Sequence, residues 1–324
     1  MSDGRAEAAM PYPVLTDEPL PSEMLSMLAA DCEVHAWPPD AVGLAPLLAR
    51  TAGLFTYGHP RVDGGLLDRM PQLKVISNFG VGVDHIDLEA ARQRGIPVGN
   101  TPGILDGATA DLTFGLLLAA ARNLVVGDRY ARSAAFTQYD PNLLLGTDVH
   151  GATLGIIGMG NIGRQVARRA RGFDMTVLYH NRRRNLQAEG ELGVTYRSLP
   201  DLLGQADFVT LNVPLTAETR GLIGREQLAL MKPTAILINV ARGGVVDHEA
   251  LLAALAERRI GGAALDVTEP EPLPRSHPLL QLDNLIIVPH LGSATRQTRR
   301  KMAELSIANL RAGLRGEELP SRVA

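Results

Sequence analysis

The chain is poor in cysteine, in charge of one sign and in long apolar runs, and each shortage excludes a class of protein. A single cysteine, Cys32, among 324 residues rules out an internal disulfide framework. A lone thiol of this kind is more often a small core residue than a nucleophile. The formal net charge is −3, which gives no electrostatic footprint for nucleic acid, and no Lys/Arg block suggests a membrane surface. No apolar run reaches the roughly 20 residues needed to span a bilayer. The nearest approach, residues 114–121, is short and has Asp111 and Arg122 close by, so it reads as a buried helix. The opening MSDGRAEAAMPYP is polar and has no apolar h-region. No signal peptide is therefore expected, and a cytoplasmic protein is the default. No internal repeat, low-complexity segment, long linker or metal site is expected.

What is present has the balance of a globular protein, with 45% apolar and 21% charged residues. The length suits two domains, each able to bury its own core. Short β-rich runs at 13–15, 53–56, 75–78, 153–157, 176–179, 208–211, 235–239, 262–265 and 285–288 alternate with helical patterns such as 248–258. Several runs are continuously apolar, as parallel strands covered on both faces must be. The alternation predicts an α/β fold with parallel sheets. Two long helical patterns, 108–133 and 294–315, flank the block that holds the nucleotide motif. They predict a substrate-binding domain of residues 1–105 plus 296–324, with a dinucleotide-binding domain of residues 106–295 inserted into it.

That motif runs from an apolar strand through Gly158-Met-Gly160-Asn161-Ile162-Gly163 into a helical pattern. Gly158 allows a tight turn, Gly160 lets a pyrophosphate approach the helix N-terminus, and Gly163 lets helix and strand pack closely. Glycines in this spacing also occur in ordinary turns, but the strand before and helix after favour a dinucleotide site. The second strand ends in Asn181-Arg182-Arg183-Arg184, where an NAD site carries Asp or Glu about twenty residues past the glycines. Without that carboxylate a 2′-phosphate is not repelled, and Arg182 or Arg183 can clasp it. NADP(H) is favoured, with NAD(H) as the alternative; a solvated basic turn is the bland reading.

Three polar residues fall just past strand ends, where open α/β sheets bind ligands: Arg242, Glu271 and His290. Singly each has a structural explanation, as an ion-pair partner, a solvated turn residue and a loop histidine. Together they supply a cation for a carboxylate and carbonyl, a proton donor, and a carboxylate that favours the protonated imidazole. This is the set that reduction of a 2-keto acid requires.

These segments resemble the D-isomer-specific 2-hydroxyacid dehydrogenase family from about residue 50 onward. The resemblance extends to the loop 78–84 (NFGVGVD), to Asn100-Thr-Pro-Gly103 and to Ala108-Thr-Ala-Asp111. It implies two Rossmann-like or flavodoxin-like domains and assigns catalysis to Arg242, Glu271 and His290. It implies that the amides of Val81 and Gly82 take the substrate carboxylate, with Arg242, Ser293, Tyr57 and Tyr139 as further substrate residues. For the cofactor it implies Thr109, the glycine segment 158–163, residues 181–183, Pro214, Thr219, Val240, Ala241, Asp266 and Gly292, with Asp266 on the nicotinamide amide. Residues 276–295 and 309–316 are most similar to glyoxylate/hydroxypyruvate reductases, and 146–150 to 2-ketogluconate reductases. The implied substrate is thus a small 2-keto acid, and the implied assembly a homodimer with an aromatic lid. Family members often carry Trp where this chain has Phe136 and Tyr139. The alternatives are a phosphoglycerate, phosphite or bulkier keto-acid specificity, or a non-catalytic corepressor-like protein that senses cofactor.

Overall fold

The central strands are mainly apolar because both faces of each sheet are covered, and the polar residues within them, such as Ser77 and Thr210, are buried with their hydroxyls hydrogen-bonded. A computed structural model describes residues 10–37 and 41–324; residues 1–9, which carry most of the signal-peptide reading, lie outside the described residues. The chain divides into two compact units, Met1–Leu105 with Arg296–Ala324, and Asp106–Thr295. The second is thus inserted into the first in chain order.

The first unit contains β1 (Tyr12–Thr16), β2 (Cys32–Ala36), β3 (Gly53–Thr56), β4 (Val75–Asn78) and β5 (Val98–Gly99). They form a wholly parallel sheet in the order β2-β1-β3-β4-β5, the flavodoxin-like arrangement. The helix Arg296–Arg315 belongs to this unit. The Ser77 hydroxyl donates to the carbonyl of Ser306 at 2.6 Å, and the Asn309 amide nitrogen to that of Asn100 at 3.0 Å. The expected start at 294 moves to Arg296.

The second unit contains β6 (Thr153–Ile157), β7 (Thr176–His180), β8 (Thr195–Tyr196), β9 (Phe208–Leu211), β10 (Ile236–Asn239), β11 (Gly262–Leu265) and β12 (Leu285–Ile287). All pairings are parallel, in the order β12-β11-β10-β9-β6-β7-β8. This is the dinucleotide-fold order with one added strand, and the order reverses between β6 and β9. Successive residues serve opposite faces. Ile157, Val209, Leu211 and Leu237 join one core, while Leu154, Ile156, Phe208 and Ile236 join the other.

Three strands were not apparent in the sequence pattern: β2, β5 and β8. All three are sheet edges, and β5 and β8 have two residues each. β2 and β8 are covered less and need not carry a continuous apolar run, whereas β5 is buried, bonded to the C-terminal segment, and simply too short to show a pattern.

The expected helix 108–133 is corrected to two, Asp106–Ala121 and Leu124–Ala131, bent by 60°. Asn123 breaks them by taking a left-handed backbone (φ 52°), which its short polar side chain tolerates. That side chain donates to the carbonyls of Leu144 and Leu145 at 3.3 and 3.2 Å, pinning the following loop. Within the first helix Phe114, Leu116, Leu117 and Ala121 are buried, as the apolar stretch suggested. Among the described residues no single helix is long and apolar enough to cross a membrane. Cys32 is buried, and burial pushes its thiol up to about 12.

Candidate active site

The glycine segment turns directly from β6 into the helix Asn161–Ala170. Gly158 has φ +102°, and a Cβ there would lie 2.6 Å from the carbonyl carbon of Asn212, at the end of β9. A Cβ on Gly163 would overlap the carbonyl oxygen of Gly158. Both glycines are therefore required by the protein's own packing. Gly160 is different: a Cβ there would meet nothing within 4 Å. Its openness, with no side chain capping the helix that follows, leaves backbone N–H groups for an anion.

The end of β7 folds back on this loop. Asn181 Oδ1 accepts the Met159 N–H at 2.7 Å, and Asn185 Nδ2 donates to the Met159 carbonyl at 3.1 Å. Arg184 is committed elsewhere, with both ends of its guanidinium on Glu189 at 2.7 and 2.6 Å. Hydrogen bonds from Arg184 and Tyr179 hold the Glu189 carboxyl down to about 2. Arg182 and Arg183 are exposed and enter no ion pair within 4.0 Å among the described residues. A hydrogen bond from Thr216, with a smaller contribution from the Arg182 charge, holds the Glu218 carboxyl below its usual range. The three arginines, alike in sequence, thus separate into one structural residue and two that face solvent.

On the other side of the reversal, β10, β11 and β12 lead into Arg242, Asp266 and His290. Because the strands are parallel, these residues share the carboxyl edge with the glycine loop. Arg242 is half-buried in an extended backbone, and its carbonyl accepts from the Asn239 side chain at 2.9 Å. His290 Nδ1 lies 2.7 Å from Glu271 Oε1, while Glu271 Oε2 accepts the Thr268 N–H at 3.2 Å. His290 has a left-handed backbone (φ 53°), uncommon for a residue with a side chain.

Asp266 holds that conformation. Its carbonyl accepts the His290 N–H at 2.9 Å, and its two carboxylate oxygens accept the N–H groups of Leu291 and Gly292 at 2.5 and 2.8 Å. Burial pushes the Asp266 carboxyl up, and these two amides oppose the shift. Thr109 closes the same turn by donating to the Gly292 carbonyl at 3.1 Å. Asp266, Thr109 and Gly292, expected at the cofactor, build the loop that carries His290. Ser293, Val240 and Ala241 are buried nearby in sequence, and Thr219 donates to the Pro214 carbonyl at 2.6 Å.

In the first unit, Asn78 organises the loop of Val81 and Gly82. Its Oδ1 accepts from Thr56, and its Nδ2 donates to the carbonyls of Gly80 and Gly82, both at 2.9 Å. Asn100 holds the Val81 carbonyl at 2.8 Å. With these carbonyls engaged, the turn is fixed while its amides remain the groups to present. Tyr57 packs on Phe79 with ring centroids 4.8 Å apart, and Asp17 accepts the N–H groups of Tyr57 and Gly58 at 2.6 and 2.7 Å. Tyr139 stands apart. It is 82% exposed and makes no hydrogen bond or ring contact among the described residues.

Two residues beside the glycine loop had no motif to mark them. Asn212, whose backbone lies against Gly158, buries its side-chain Nδ2 without a hydrogen-bond partner among the described residues. Asp106, nearly buried, accepts from the Asn161 side chain; burial raises its carboxyl and this hydrogen bond opposes the rise. An open glycine, an uncapped helix start and an orphaned buried amide fit a dinucleotide whose phosphates and ribose need donors.

Comparison with known proteins agrees with this geometry. The family model described as D-isomer specific 2-hydroxyacid dehydrogenase, NAD binding domain, matches residues 114–292. The chain is 46% identical over 312 residues to the glyoxylate reductase of Pyrococcus furiosus, covering 94% of this chain and 93% of that one. It is 45% identical over 315 residues to the glyoxylate reductase of Korarchaeum cryptofilum, covering 96% and 95%. Among solved structures, the TT0316 protein of Thermus thermophilus superposes with a TM-score of 0.88 at 47% identity, over 96% of this chain and 100% of that one. The NADPH-dependent glyoxylate/hydroxypyruvate reductase of Sinorhizobium meliloti, in complex with NADP and malonate, gives 0.88 at 32% identity, over 97% of both chains.

Proposed function

The chain belongs to the D-isomer specific 2-hydroxyacid dehydrogenase family, and from that premise we propose that it reduces small 2-keto acids to D-2-hydroxy acids with NADPH. Glyoxylate and hydroxypyruvate are the substrates proposed first, with 2-ketogluconate as a larger relative. The observation that carries the reading is the 2.7 Å contact between His290 Nδ1 and Glu271 Oε1, on the same sheet edge as the glycine loop.

When bound, the nicotinamide supplies the hydride. The open N-terminus at Gly160 and the amide of Asn212 are the groups proposed to hold the dinucleotide, with Arg182 and Arg183 on its 2′-phosphate. The NADPH preference is supported by the absence of a carboxylate at Asn181 and by the two uncommitted arginines. Nδ1 of His290 is engaged by Glu271, so the proton given to the keto oxygen is the one on Nε2. Glu271 fixes the ring orientation through its contact with Nδ1. The guanidinium of Arg242 stabilises negative charge that develops on that oxygen. The amides of Val81 and Gly82 take the substrate carboxylate.

A homodimer is proposed alongside. The segment after the second helix exposes Phe136, Tyr139, Leu143, Leu144 and Leu145, an apolar run suited to a second copy. Light scattering at assay concentration checks this.

The deciding experiment is a panel of 2-keto acids assayed by NADPH and NADH oxidation, run beside His290→Ala. Glyoxylate turnover with NADPH, lost by at least about a hundredfold in the variant, is expected from the loss of a general acid. Equal turnover by His290→Ala would sink the mechanism.

A further inference from the structure

The turn that carries Arg242 and the loop that carries Glu271 interlock through two glycines. A Cβ on Gly243 would overlap the backbone of Thr268, and one on Gly244 would overlap the Glu269 carboxylate. The same Cβ on Gly244 would lie 2.9 Å from Arg220 Nη1. That nitrogen reaches both carboxylate oxygens of Glu269 at 2.8 Å, closing an ion pair over Gly244. The Gly244 carbonyl in turn accepts the Gly221 N–H at 2.8 Å, so the Arg220 segment is tied to the Arg242 turn through its backbone as well.

Each end of this ion pair leads to a different part of the site. Arg220 directly follows Thr219, whose hydroxyl accepts the Thr216 N–H at 2.8 Å and donates to the Pro214 carbonyl, closing the turn assigned to cofactor. Glu269 is two residues before Glu271. Just ahead of both, the Thr268 hydroxyl donates to the Pro270 carbonyl at 2.8 Å, and its N–H holds Glu271 Oε2. The loop 268–271 is therefore one small hydrogen-bonded unit, and the position of Glu269 sets that of Glu271.

We propose that the Arg220–Glu269 ion pair is a latch that positions Glu271, and joins the cofactor turn 214–219 to the loop supporting His290. The pair is half-exposed, with side chains 56% and 47% accessible, so its direct contribution to folding is small. Its effect is exerted on registration of the two loops. Arg220 and Glu269 are positioning residues, and the inference rests on the reading of Glu271 and His290 as the proton-donating pair.

The test is a double-mutant cycle of Arg220→Gln and Glu269→Gln, with Arg220→Lys as the conservative variant. Each single change is expected to lower kcat for glyoxylate about tenfold, because misplaced catalytic groups act on the transition state, while KM for the keto acid stays within about threefold. The double variant should be no slower than either single one, since both remove the same contact. Only one guanidinium nitrogen bridges the carboxylate, so an ammonium can replace it, and Arg220→Lys should keep kcat within about twofold. Calorimetric titration of NADPH gives a readout apart from turnover: its Kd should rise about two- to fivefold in Glu269→Gln. Single variants that fold and keep parental kcat and Kd, or a double variant whose loss is the product of the two, would overturn the latch. If His290→Ala is still inactive in that case, the catalytic reading stands without the latch; an active His290→Ala removes both.

Discussion

Removing Arg182 and Arg183 should abolish the preference for NADPH, and removing Arg184 should not. The three side chains are adjacent and identical, so the difference comes wholly from the fold. Arg184 is held on Glu189 by two hydrogen bonds at 2.7 and 2.6 Å, whereas its neighbours face solvent. A hydrogen bond to a charged group contributes about 1.5–3 kcal/mol, and solvent exposure puts these two near or below the lower end of that range. Together Arg182→Ala and Arg183→Ala should then cost roughly 2–3 kcal/mol of NADPH binding, a Kd rise of about 30- to 150-fold. NADH, which lacks the phosphate, should be bound as before. Adding Asn181→Asp should favour NADH further, because one carboxylate oxygen can keep the 2.7 Å bond to the Met159 N–H while the other meets the ribose hydroxyl. Fluorescence titration of both cofactors measures the ratio directly. An unchanged ratio in the double variant, or a collapsed one in Arg184→Ala, would refute the assignment.

Three further outcomes follow from the same geometry. In Gly163→Ala the new methyl meets the Gly158 carbonyl, backbone against backbone, so the loop must shift. A stability loss of about 1–3 kcal/mol and disappearance of the thermal shift caused by NADPH are expected, read by scanning fluorimetry. Glu271→Gln keeps an acceptor for His290 Nδ1 but removes the charge, so kcat should fall about ten- to a hundredfold with keto-acid KM little changed. Asp106→Asn tests a buried carboxylate whose folded pKa is raised above 3.8 by burial. Its folded state favours the neutral acid. That stabilisation is therefore complete below the unfolded pKa and is lost as pH rises through the folded one. The Asn variant should melt above the parent at pH 7 and converge with it below pH 3.8; a constant gap across that range would contradict the argument.

Much of this protein is local and therefore readable along the chain. A strand buried on both faces is largely apolar, which made β6, β9, β10 and β11 legible as strands. Glycine at 163 is demanded by a contact within one strand–turn–helix unit and glycine at 158 by its own positive φ, so the motif is legible locally, although the Asn212 backbone that also crowds Gly158 comes from the end of β9. Arg242, Glu271 and His290 announce themselves by following strand ends. Edge strands escape this logic because half-covered backbone tolerates polar sequences, as in β2 and β8, and β5, though buried, has only two residues. The helix break at Asn123 was similarly hidden, since an asparagine within an apolar pattern does not declare a left-handed turn.

Where two segments distant in sequence meet, the sequence is silent. It could not say that Asp266 spends both oxygens on the His290 turn, nor that Arg184 serves Glu189 and leaves Arg182 and Arg183 outward. It gave no hint that Asn212, its backbone against Gly158, buries an unanswered side-chain donor, or that Arg220 reaches Glu269 across Gly244. Composition and periodicity determine which residues must be inside and which motifs can bind a dinucleotide, because those depend on solvation and local backbone geometry. Which polar atoms remain available for chemistry depends on which are already satisfied, and only the assembled tertiary structure decides that.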